Sequence, residues 1–167
     1  MKKKNPLAIF LINLLTLGFY GLYWVIGSME DLNKLAKKTL FNVNFTKKML
    51  MSTLGAYLAT FWGIGYKVYE TIDDPSSFAS RFFMALLIFC IMMILWLIGM
   101  VTLHIKLATG IKEIQGELGV EKKLSPILAG IMVIMLGATI PYMQSYINEL
   151  ISHKKNAIKL KYYFKNE

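Results

Sequence analysis

The chain has 167 residues, 56% of them hydrophobic and 17% charged, and a net charge of +9. A soluble globular domain carries about 25% charged residues, and the polar stretches here are too short to bury a core of their own, which excludes a separate soluble catalytic domain. The basic residues stand in short clusters beside apolar runs, where they meet anionic lipid headgroups, and no nucleic-acid partner is expected.

Four runs, 5–29, 49–66, 82–103 and 124–148, contain no charged residue. About 20 apolar residues in helix cross a bilayer core, and backbone polar groups inside it must be satisfied within the protein. The expected fold is an all-α integral membrane protein, a single domain over 1–167. It has four apolar helices, either all full spans or with the first and fourth re-entrant or kinked, together with short interfacial helices and a basic tail over 153–167.

The first run opens on Met1-Lys2-Lys3-Lys4, as a signal peptide does, but lacks a small-residue cleavage site. Its aromatics Phe19, Tyr20, Tyr23 and Trp24 suit a membrane interface, so a retained anchor is expected. Asn13, Thr16, Tyr20 and Tyr23 follow three-and-four spacing and predict a polar helix face, used either to bond a neighbouring helix or to line a wet path. Gly18, in mid-run, is a candidate hinge.

Beyond the first run, Leu32, Leu35, Ala36, Thr39, Leu40 and Val43 lie opposite Lys34, Lys37 and Lys38. This pattern predicts a short helix lying on the membrane or packed on its own bundle. In the second run Gly55, Ala59 and Gly63 recur every four residues and predict an inner helix with a face for close packing. Glu70, Asp73 and Asp74 form a charged turn.

The third run should be capped by Ser76 or Ser77. Leu107, Ile111, Ile114 and Leu118 keep its helical spacing until Gly119 stops it. Cys90, the only cysteine, allows no intrachain disulfide, and neither His104 nor His153 belongs to a metal-ligand pattern. No metal, cofactor or catalytic residue is expected, since no nucleophile stands beside a base and no glycine loop fits a phosphate.

The fourth run repeats the first in outline: Leu136, Gly137 and Tyr142 match Leu17, Gly18 and Tyr23 in a Leu-Gly-x-x-x-x-Tyr pattern. Gly137 and Pro141 are its candidate hinges, and Thr139, Tyr142, Tyr146 and Glu149 its candidate polar face. Charge bears on topology. With four full spans and the N-terminus cytoplasmic, 10 basic residues lie inside and 9 outside. With the first and fourth runs re-entrant, 17 lie inside and only Lys67 and Arg81 outside, which is the asymmetry membrane proteins usually have.

Asn5-Pro6, the apolar residues after it, Thr16-Leu17-Gly18-Phe19-Tyr20-Gly21-Leu22-Tyr23-Trp24 and Asp31-Leu32-Asn33 resemble the opening signature of a bacterial membrane family, domain of unknown function 4234. Tyr142-Met143-Gln144 and Asn148 are similar to its later element, while Phe19 replaces the usual isoleucine. The resemblance implies a small multi-pass protein of the bacterial inner membrane and brings no catalytic residue. The expected function is that of a non-enzymatic membrane protein that self-associates or serves as an adaptor or subunit for a partner. The alternatives are an oligomeric pore or membrane-perturbing effector and, third, a lipid-acting enzyme.

Overall fold

The structure is a computed structural model that describes residues 2–16, 19–70, 75–121, 123–135 and 138–163, with the side chains of 75–77 and 158–163 outside that description. Its described residues form six α-helices and no strand: α1 (Pro6–Leu15), α2 (Phe19–Ala36), α3 (Val43–Tyr69), α4 (Pro75–Glu117), α5 (Pro126–Ile134) and α6 (Thr139–Tyr163). Among them only α4 is long and apolar enough to cross a membrane. The chain divides into two compact units, one of residues 1–43 and 100–167, the other of 44–99.

Neither the first nor the fourth apolar run is one helix. α1 starts at Asn5, whose side chain accepts from the N–H of Leu7 and Ala8, and Pro6 follows where a missing donor costs nothing. It stops after ten residues, and the chain turns back. A Cβ placed on Gly21 of α2 would lie 2.7 Å from Asn13 Oδ1 of α1, whereas eight residues of unbroken helix would separate these positions by about 12 Å. The pair α5 and α6 repeats the device. Ser125 caps α5 with Pro126 next, and Thr139 Oγ1 donates to Ala129 O at 3.1 Å across ten residues of sequence. Each run is thus a helical hairpin, and the half-length helices α1 and α5 both pack on α6. Gly18 and Gly137 fall between the paired helices and lie outside the described residues. Pro141 is the third residue of α6, within the first turn, where its missing N–H breaks no helical bond.

Three expectations about element boundaries change. Residues 32–36 are the last turns of α2 rather than a separate interfacial helix, and the chain turns at Lys37, which has φ 56°. Leu32 is fully buried, Leu35, Ala36, Leu40 and Val43 are half-buried and Thr39 is exposed, so only the start of the stripe turns fully into the protein. α4 begins at Pro75, one residue ahead of Ser76 and two ahead of Ser77, because proline suits the first helical position. The tail does not separate from the fourth run, since α6 continues to Tyr163.

The core of the first unit comes from matching stripes. Leu103, Leu107, Ile111 and Ile114 recur at three-and-four spacing along the end of α4 and are buried. Trp24, Val25, Met29 and Leu32 from α2 and Ile140, Met143, Ile147 and Leu150 from α6 complete it. α4 ends as its sequence requires. Gly119 has φ 67°, Val120 N donates to Gln115 O and Gly119 N to Gly116 O, the double bond of a Schellman stop.

Candidate functional site

Polar side chains in the first unit serve mainly to hold helices together. Trp24 Nε1 donates to Gln144 Oε1 at 2.8 Å, Gln144 Nε2 donates to Asn148 Oδ1 at 2.9 Å, and Asn148 Nδ2 donates to Lys4 O at 2.7 Å. Lys4 N returns a bond to Asn148 Oδ1 at 3.1 Å. The chain of bonds therefore runs from α2 through one face of α6 to the residues that precede α1. It satisfies an indole and an amide that are otherwise almost wholly buried.

Asn33 does similar work one hairpin end away. Its Oδ1 accepts from the N–H of Leu40 and Phe41, and its Nδ2 donates to Phe41 O, fixing the turn after α2. Phe41 is thereby aimed at α4, where it sits over Gly110: a Cβ there would lie 2.2 Å from the ring. Gln115, fully buried, accepts from Leu124 N at 2.8 Å and holds the turn that follows α4. Gln115 and Gly110 were not singled out from the sequence. An amide or glycine on the apolar stripe of a helix is the signal that marks them.

The predicted polar faces separate on inspection. Asn13 and Thr139 are buried, Thr16 and Tyr23 exposed, and Tyr20, Tyr142, Tyr146 and Glu149 half-buried. Thr139 bonds α5, while Thr16 Oγ1 donates within its own helix and accepts from Tyr20 N. Tyr20 meets Tyr23, and Tyr142 meets Tyr146, each within its own helix. Asn13 Oδ1 has no hydrogen-bond partner among the described residues and faces Gly21.

In the second unit α3 and the early part of α4 lie side by side. Tyr57 of α3 meets Trp96 of α4 edge-on, ring centroids 5.4 Å apart. The small-residue face does not serve as the inner packing surface of this chain. Gly55, Ala59 and Gly63 are exposed, and a Cβ on either glycine would meet nothing within 4 Å. Nearby, α3 and α4 enclose a groove of about 530 Å³ that Gly63, Ile64, Ala85 and Ile88 line, with Lys67 and Arg81 at one end. Among the described residues no group of three or more His, Cys, Asp or Glu could hold a metal.

Comparison with protein-family models, curated proteins and solved structures gives no match. Within the first unit Asn5 caps α1, Trp24, Gln144 and Asn148 form the bond chain, and Asn33 fixes the turn after α2.

Proposed function

We propose that the chain is an integral membrane protein in which the first part of α4 spans the bilayer and α3, less apolar than α4, crosses beside it, with two re-entrant hairpins, α1 with α2 and α5 with α6. It works without enzymatic chemistry, by associating with itself or with a partner membrane protein. The observation that carries this reading is α4, in whose most apolar 18 residues none is buried. An apolar surface of that extent is stable against lipid or against another protein, not against water.

The re-entrant arrangement is supported by the folding back of both hairpins and by the half-length of α1 and α5. Ten helical residues rise about 15 Å, half of the roughly 30 Å hydrocarbon core. Each hairpin then leaves on the side where it entered, which restores the positive-inside asymmetry with a cytoplasmic N-terminus. The family resemblance agrees with a bacterial inner-membrane location. Association through α3 rests on the open face of Gly55, Ala59 and Gly63, which lets a second backbone approach closely.

The test is thiol labelling of intact cells, with Cys90→Ser as background and single cysteines at Asn44, Ser76, Gly119 and Asn156. Outside labelling at position 76 alone is expected. Labelling at 44 and 119 would return four full spans, and a chain that leaves the membrane fraction in carbonate would refute the membrane reading. Ion leak from vesicles holding the purified protein would favour the pore alternative over association.

A further inference from the structure

From the groove between α3 and α4 we infer a binding site for one phospholipid molecule, its phosphate held by Lys67 and Arg81 and an acyl chain lying along Gly63, Ile64, Ala85 and Ile88. The inference rests on the membrane reading above and adds a ligand to it. Lys67 stands two residues before the end of α3 and Arg81 six residues after the start of α4, so both cations lie near the connection, at one end of the groove. Thr60 and Ile88 line it further along the two helices. From Lys67 to Thr60 the helix rises about 10 Å, room for a headgroup and the upper part of an acyl chain.

The groove exists because two small residues face it. Gly63 contributes no side chain and Ala85 only a methyl, so the helices leave space that larger residues would fill. Its wall is mostly apolar and both Lys67 and Arg81 line it, which matches a molecule with one anionic group on an apolar body. Arginine's planar fork bonds two phosphate oxygens at once and lysine adds a point charge, a pairing that serves phosphate. Glu70 accepts from Lys67 Nζ at 2.9 Å and shares that ammonium. Lys67, after it the Tyr66 hydroxyl, and at longer range Arg81 hold the Glu70 carboxyl below the usual range, so it stays ionised at neutral pH and an incoming phosphate shares both cations with it. A second copy's helix would supply apolar surface to the groove, but the groove's charge calls for an anion at the cationic end.

The test uses the full chain, extracted in mild detergent, stripped of lipid and titrated with phosphatidylglycerol under native mass spectrometry. One retained lipid per chain is expected. Retention should weaken about tenfold in the double variant Lys67→Gln with Arg81→Gln, the effect of losing charge-assisted bonds. It should weaken also in Gly63→Leu, since a Cβ at that groove-lining position meets nothing within 4 Å and the added bulk takes up groove space. Gly99→Leu, equally open but outside both the groove and the Gly55, Ala59 and Gly63 face, should retain lipid as the unaltered chain does. Equal retention by all variants, or none by the unaltered chain, would overturn the site while leaving a membrane-fractionating protein in place. Loss of the chain from the membrane fraction would overturn both readings.

Discussion

Trp24 and Gln144 stand 120 residues apart in sequence, yet the indole N–H of one reaches the amide oxygen of the other at 2.8 Å with both side chains buried. A bond in such a setting matters most when half of it is removed. Trp24→Phe leaves a buried carbonyl oxygen without its donor and should cost about 1–3 kcal/mol. The double variant with Gln144→Leu should cost less than the two single changes combined, as unfolding in detergent micelles would measure. Additive costs would mean the two side chains act independently.

At Gly110 α4 gives way to Phe41, and Gly110→Ala should destabilise the first unit by about 1–3 kcal/mol through overpacking. Adding Phe41→Leu frees space at the ring position and should recover part of the loss in the same unfolding assay.

Among the described residues two turns carry left-handed backbone, and they invite opposite substitutions. Lys37 is a non-glycine residue at φ 56°, a strain of about 1–2 kcal/mol, so Lys37→Gly should stabilise, by somewhat less because glycine gains freedom when unfolded. Gly119→Ala moves the same strain into the stop of α4 and should destabilise by about 1 kcal/mol. Thermal unfolding of the two variants should shift in opposite directions.

Self-association in lipid has its own signature. Gly55→Leu should weaken it about tenfold, measured by energy transfer between labelled chains in vesicles, because bulk on that face keeps a second backbone away. An unchanged transfer curve would move association to another surface.

Much of this architecture was legible. The end of α4 follows from apolar spacing that stops at Gly119, while mid-run glycines in the first and fourth runs left a full span and a folded-back run both open. The illegible parts depended on distant partners. Nothing local says that Leu32 and Leu35 extend α2 instead of starting a surface helix, because that is settled by the burial of Leu32. Asn13 and Thr139 read as members of two polar faces, but periodicity cannot tell a residue that bonds a neighbouring helix from one that faces outward. The face of Gly55, Ala59 and Gly63 was visible as a pattern, and its openness was not, since small residues mark close approach without naming which chain approaches.

The first unit is discontinuous: residues 1–43 are completed only by 100–167. During synthesis, α1 and α2 emerge about a hundred residues before Gln144 and Asn148 exist to accept the indole of Trp24 and to grip Lys4 from both sides. The second unit, continuous from 44 to 99, has no such wait. Contacts this distant in sequence close late, so the order of assembly runs from the middle of the chain outward, and the beginning of the protein is the last part to be fastened. A chain halted at residue 138 should therefore leave α1 and α2 open to protease while 44–99 is already protected.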